Sequence, residues 1–337
     1  MSTSVELIDE PRVAPATRGS SPESLKAKKK LRRVRRLEAL GFTGPALLVY
    51  VLFVFVPVGF AMAMSLFAGV RTAPFNEFVG FDNFVDIFTR GRMFGQPFFW
   101  DAVRNNFLIA ALSLAIQGPV ALGVALLLNR KMRGRQIVRL LIFVPYVLSE
   151  VITGVIFQML LMPNGALDVW LERLGLGNLA GTLWLADTSG GGLGSVTFWV
   201  IMFVLTWKYV GLAIILFLAG LSGVPEELNE AAAIDGASWW QIQRKITIPL
   251  LGPTIRIWAF LSIIGSFQLF DMIWILTRQN PTPTGMHTMA TYMVQMGMNA
   301  NRVGYGSAIA VVLFVITLII ALVYQRFILN RDIGKES

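Results

Sequence analysis

Three side chains in this sequence sit in surroundings that do not suit them. Glu150, Lys208 and Asp271 each lie inside a long apolar run, where a charge is costly and usually faces protein or water. Two carboxylates and an ammonium at such positions can carry protons, pair with each other, or hydrogen-bond a polar solute. A second concentration of chemistry lies between two apolar runs. The stretch NEAAAIDGASWWQIQRKITIPLL, Asn229–Leu251, gathers acids, bases, two tryptophans and a proline into one compact segment.

Other chemistries are excluded by what the chain lacks. With no cysteine, disulfides, thiolate metal sites and cysteine nucleophiles are ruled out. A single histidine, His287, rules out a histidine-rich metal centre. No Gly-x-x-x-x-Gly-Lys-Ser/Thr phosphate loop occurs, so the chain is expected not to hydrolyse ATP itself. No nucleophile–base pair or metal set is visible either, and the expectation is a protein that is not an enzyme and needs no cofactor.

The elements that position the three charges follow from composition. Of the 337 residues, 55% are hydrophobic and 15% charged, with a mean hydropathy of +0.63, which points to a membrane protein. About twenty apolar residues in a helix cross the hydrocarbon layer. By that test there are six spans, at 42–69, 103–129, 136–162, 194–221, 254–279 and 305–328, giving an all-α polytopic fold within residues 37–330. Counted from one end of each span at about 1.5 Å per residue, Glu150, Lys208 and Asp271 lie roughly 21, 20 and 25 Å deep. They are expected to share one level. Tyr146, Glu150, Thr153 and Phe157 fall on one face of the third span, Gln268 and Asp271 are three apart in the fifth, and Trp207 and Tyr209 flank Lys208. Carboxylate, amide and aromatic groups suit a sugar, which shows hydroxyls around an apolar ring face. Tyr146, Glu150, Lys208, Gln268 and Asp271 are therefore candidate substrate residues. The alternative is structural: Glu150 and Lys208 pair with each other, and Gln268 and Asp271 bond between helices. Asn105 and Asn106, at the start of the second span, read as capping or joining helices, and Trp207 and Trp274 as packing.

The net charge of +9 comes largely from one block, Lys26, Lys28, Lys29, Lys30, Arg32, Arg33, Arg35 and Arg36, ahead of the first span. It reads as a topology signal and a contact for anionic lipid heads, and without aromatic interleaving it does not read as a nucleic-acid site. Residues 1–36, polar and rich in Ser and Pro, are expected to be a disordered cytoplasmic tail. Arg130, Lys131, Arg133 and Arg135, then Arg244, Lys245 and Arg256, then Arg326, Arg331 and Lys335 fall on the same side as the block. Both termini and the 222–252 connection are thereby placed in the cytoplasm. Within that connection Pro225 opens a short helix over 226–234, with Glu226 and Glu227 at the positive end of its dipole. Gly236 allows a reversal, Ser238 caps a second helix to about Thr247, and Pro249 stops it. The result is a helix-turn-helix element with more apolar surface than it can cover alone.

In full, this segment resembles the cytoplasmic signature of the membrane subunits of ATP-binding-cassette importers, in particular the carbohydrate group that includes the maltose-type permeases. The signature stands here as Glu230, Ala231, Ala232, Asp235, Gly236, Ala237, Ile246, Ile248 and Pro249, with Ile248 in place of the usual leucine. The likeness extends over about 42–328, through FVGFDNFVDIF (Phe78–Phe88), LLLNRKMRGRQIVRLLIFVPYVLSEV, NGALDVWLERLGL and FQLFDMIWILT. After the last of these the chain reads RQNPTPTG where the family often has a Gly-Gly-Pro turn. The resemblance implies a permease subunit in a prokaryotic cell membrane that moves a sugar, a di- or oligosaccharide, into the cytoplasm. It further implies a pair of ATPase subunits at the 222–252 loop, a second permease that is normally a different chain, and an extracytoplasmic sugar-binding protein. Glu230, Ala231, Ala232, Asp235, Gly236, Ala237 and Pro249 become candidate coupling residues. Two rival readings are an ABC importer for glycerol phosphate esters, expected to have a pocket rich in Arg or Lys, and a proton-coupled secondary carrier using Glu150 and Asp271.

Overall fold

A computed structural model describes residues 41–90, 98–130, 133–187, 191–281 and 283–329. The tail 1–36 with its basic block, Arg92, Lys131, Arg331 and Lys335 lie outside the described residues. Two units are distinguished, one ending at Gly59 and the other starting at Phe60. Helix α1 (Gly41–Met64) contains all the described residues of the first unit. The second unit contains α2 (Phe99–Leu128), α3 (Arg135–Val147), α4 (Glu150–Leu160), α5 (Ala166–Arg173), α6 (Val196–Leu221), α7 (Glu226–Ile234), α8 (Trp239–Leu250), α9 (Gly252–Gln268), α10 (Asp271–Leu276), α11 (Met289–Val294) and α12 (Val303–Ile328). Among the described residues the only β-pairing is two isolated bridges. The fold is all-α and polytopic.

Helices α1, α2, α6 and α12 contain 24, 30, 26 and 26 residues, or about 36–45 Å at 1.5 Å per residue, enough to cross a hydrocarbon core of about 30 Å. The remaining apolar length comes in bent pairs. Helices α3 and α4 meet at 93°, and α8 and α9 at 66°; each pair counted as one span brings the number to six.

The third apolar run, expected as one helix over 136–162, is thus interrupted. Pro145 lies inside α3 and cannot donate to the preceding turn. The chain turns extended at Leu148 and Ser149, and Ser149 Oγ then accepts from Ile152 N at 3.2 Å to start α4. The fifth run, expected as one helix over 254–279, is also interrupted: α9 ends at Gln268, Leu269 is extended, and α10 starts at Asp271. Pro249 does not stop α8 as expected, since the helix continues to Leu250. The backbone widens into a π-turn over Gln243–Thr247, which accommodates a ring that offers no N–H. The bend comes only at Leu251.

Helix α6 is the hub of the second unit. Its Phe198 and Ile201 join Ile109 of α2 and Met272 of α10 in one apolar cluster, and its Phe217 joins Ala121 of α2 and Trp258 of α9 in another. A third cluster links Phe99 of α2, Phe267 of α9, Tyr292 of α11 and Ile309 of α12. Small residues let backbones close in where lipid provides no hydrophobic drive; at Gly211 of α6 a Cβ would collide with the Ile142 carbonyl of α3. Polar pins fix the register. Asn106 donates to Ser266 O at 2.7 Å and accepts from Met289 N at 2.8 Å, while Asn105 donates to Gly285 O and His287 O, both at 2.9 Å. Both asparagines are fully buried: Asn106 joins α2 to α9 and α11, and Asn105 ties α2 to the connection before α11.

Two outcomes follow for the purified protein in detergent. Gly211→Ala should lower the unfolding temperature, at a cost of about 1–3 kcal/mol for a wedge between backbones, whereas Gly265→Ala, which meets no atom within 4 Å, should leave it unchanged. His287, buried against Tyr292 between α10 and α11, has its pKa pushed down by burial from 6.5 to about 4. Between those values the unfolded chain binds the proton and the folded chain does not, so this contribution to stability is lost as pH falls from about 6.5 toward 4. His287→Gln should flatten the dependence of unfolding temperature on pH across that window.

Candidate functional site

The two interruptions open four backbone ends, and at both carbonyl ends a side chain from elsewhere in the fold meets the free acceptor. Leu148 closes α3, and its carbonyl accepts from Lys208 Nζ of α6 at 2.5 Å. Leu269 follows α9, and its carbonyl accepts from Thr288 Oγ1 at 2.8 Å. An ammonium also complements the negative end of the α3 dipole. On the other side of each break a carboxylate occupies the first turn: Glu150 opens α4 and Asp271 opens α10, at the end where a negative charge is favoured. The two short helices pack together. Gln158 Nε2 of α4 donates to Ile275 O of α10 at 2.9 Å, and a Cβ on Gly154 would stand 2.9 Å from Ile275 Cγ2.

Between the breaks lies a cavity of about 340 Å³. Tyr146, Glu150, Gln268 and Asp271 line it; Lys208 does not, being 2% exposed with its ammonium on Leu148 O. The pairing of Glu150 with Lys208, left open on sequence grounds, is not what the structure shows. Glu150 Oε1 accepts from Tyr209 Oη instead. The single helical face through Tyr146, Glu150, Thr153 and Phe157 is also replaced, because the break puts Tyr146 on α3 and the others on α4. Thr153 is buried, and Phe157 packs edge-on against Trp207 at 5.2 Å. Trp274 stacks on Phe270 at 5.4 Å.

The cavity also has walls that were not expected from the sequence, Ser113 and Gln117 of α2 and Ser262 of α9, and Tyr209 of α6, noted beside Lys208 in the sequence, lines it too. Ser113 and Gln117 are the polar ends of a π-turn within α2, a feature common at functional sites. Two polar residues four apart in an otherwise apolar run carried the signal. Ile109, Leu205, Leu212 and Leu261 supply apolar surface, so hydroxyls, amides, carboxylates and ring faces meet in one chamber.

The 226–250 element has its own geometry. Helix α7 ends in a Schellman motif: Ala237 N donates to Ala232 O at 3.0 Å and Gly236 N to Ala233 O at 3.1 Å, with Gly236 at φ +80. That gives Asp235, Gly236 and Ala237 a folding role. Helix α8 starts on a capping box, Ser238 N donating to Gln241 Oε1 at 2.7 Å and Gln241 N to Ser238 Oγ at 3.4 Å. Asn229 and Thr247 bridge the two helices at 3.4 Å, and the Arg130 guanidinium lies 4.0 Å over the Trp239 ring. No residue of α7 is buried; Ile234 is 86% and Trp240 60% exposed. Glu230 lines a cleft of about 490 Å³ together with Asn129, Arg135 and Gln243.

Residues 117–335 match the family described as binding-protein-dependent transport system inner membrane component. The chain is 31% identical to the diacetylchitobiose uptake system permease protein of Streptomyces coelicolor, over 96% of this chain and 89% of that one. It is 31% identical to the arabinooligosaccharides transport system permease protein of Bacillus subtilis, over 84% and 85% of the two chains. In fold it is similar to a chain of a bacterial ABC transporter involved in the import of the acidic polysaccharide alginate, with a TM-score of 0.72 and 23% identity, over 89% of this chain and 97% of that one.

Lys208→Met tests the capping geometry. It should leave the Leu148 carbonyl without its donor and destabilise the protein by about 1–3 kcal/mol, read as a lower unfolding temperature in detergent. Glu150→Gln, which keeps an acceptor for Tyr209, should have a much smaller effect.

Proposed function

This chain belongs to the binding-protein-dependent transport system inner membrane components, and we propose that within that family it is one of two permease subunits of an ATP-binding-cassette importer for an oligosaccharide. The observation that carries the sugar assignment is the chamber between the interrupted helices. Hydroxyl, amide and carboxylate groups stand there beside tyrosine rings and leucines, a surface matched to a pyranose with polar edges and apolar faces. The names of relatives that carry diacetylchitobiose and arabinooligosaccharides support the same substrate class.

The 222–252 connection faces the cytoplasm in this reading, as do both termini, because the connections richest in Lys and Arg lie on that side. Its exposed apolar side chains, Ile234 and Trp240, dock on an ATPase subunit as a short helix in a groove. Ala231 and Ala232 allow close approach and Glu230 offers a carboxylate. The Schellman turn and the capping box make the element stiff, so closure of the ATPase pair displaces it as one body. The Arg130–Trp239 stack passes part of that displacement to the connection between α2 and α3. A second permease, expected to be a different chain, completes the pore, and an external binding protein delivers the sugar.

The test is uptake of radiolabelled diacetylchitobiose and maltose into proteoliposomes containing the complete transporter and ATP. The combined Glu230→Lys and Gly236→Pro variant should insert normally yet lose at least about tenfold in sugar-stimulated ATP hydrolysis and uptake. Undiminished stimulation in that variant would falsify the coupling assignment.

A further inference from the structure

The walls of the chamber carry charge of one sign. Glu150 and Asp271 line it, and among the described residues no Lys, Arg or His does. Lys208 is the cation of the neighbouring span: its ammonium sits on the Leu148 carbonyl, is shut off from solvent and acts on Glu150 only through space, so one ammonium stands behind the wall against two carboxylates in it. Thus the charge of Glu150 is not cancelled by an ion pair within 4 Å; its partner is the neutral Tyr209 hydroxyl.

The positive ends of the half-helices do not offset this. In broken membrane helices such ends commonly face an anionic group of the cargo. Here the first residue of α4 is Glu150 and the first residue of α10 is Asp271, so each end is already met by a carboxylate of the chain itself. Ile109, Leu205 and Leu261 in the walls keep the local dielectric below that of water, which lengthens the reach of both charges.

We propose that this chamber screens cargo by charge, admitting uncharged or amino-bearing glycans and rejecting those that carry uronate or phosphate groups, with Glu150 and Asp271 setting the sign. The inference rests on the chamber being the sugar path. It goes further, because it divides glycans into carried and refused and disfavours a glycerol phosphate ester as substrate.

The absence of cysteine from the chain allows a test without sugar, ATP or knowledge of the natural substrate. A single cysteine is placed at Gly265, a lining position with open space around its Cα, or at Ser262 should the first variant fold poorly. Gly177→Cys, on an exposed connection with no atom within 4 Å, is the reference. The complete transporter in detergent is treated with thiosulfonate reagents of similar size carrying either a trimethylammonium or a sulfonate group. Relative to the reference, the cationic reagent should modify the chamber thiol at least about tenfold faster than the anionic one. Combining the cysteine with Glu150→Gln and Asp271→Asn should bring that ratio close to the reference value. Equal relative rates in the unsubstituted chamber, or a ratio unaffected by neutralising both acids, overturns the proposal. Because the rates are read without transport, a failure of the sugar assignment shows up separately, as absent ATP-dependent uptake with the charge ratio intact.

Discussion

A backbone carbonyl released inside a membrane has no water to accept from, and the architecture of the second unit depends on how two such carbonyls are met. Leu148 O takes the Lys208 ammonium and Leu269 O takes the Thr288 hydroxyl. With those bonds in place the third and fifth apolar runs can stop and restart, the third at 93° to its first half, and the space between the stops becomes a chamber. An unmet carbonyl costs several kcal/mol in hydrocarbon, so without these donors continuous helices would be favoured and the chamber would close.

The same constraint explains why the buried charges are tolerated. Lys208 is held by a carbonyl and a helix dipole, with Glu150 acting on it through space but not in a direct ion pair, so the Glu150 carboxylate still lines the chamber. Glu150 and Asp271 each gain from standing at the start of a helix. Charges that look anomalous in an apolar run are thus the termini of hidden helices. Local folding and the site are one arrangement, and the pins at Asn105 and Asn106 hold the far walls in register with it.

Much of this was legible in the sequence, for reasons that differ by element. Apolar length announced the spans, and local signals in the 226–250 element foretold its two helices because a cap, a turn glycine and a short helix are decided by neighbouring residues. Tyr146, Glu150, Gln268 and Asp271 were readable as a group, and the structure brings them to one cavity. Yet the depth count behind that grouping assumed straight helices, which α3–α4 and α9–α10 are not. Hydropathy averaged over a span cannot show such a break, because Leu148 and Leu269 are themselves apolar; Pro145 and the Ser149–Glu150 helix start were the local hints at the first of them. The role of Lys208 was hidden for a related reason. Its partner is a backbone atom sixty residues away, and a sequence displays side-chain charges but not the carbonyls set free by a break.

The transport path depends on those two breaks and the chamber between them, and the most direct test is an experimental structure of the complete transporter with an oligosaccharide trapped in transit. Helices interrupted at 148–149 and 269–270, the Lys208 ammonium on the Leu148 carbonyl, and sugar density against Tyr146, Glu150, Gln268 and Asp271 are expected. Continuous helices through either position, or sugar bound along a path that avoids these four residues, would contradict that dependence.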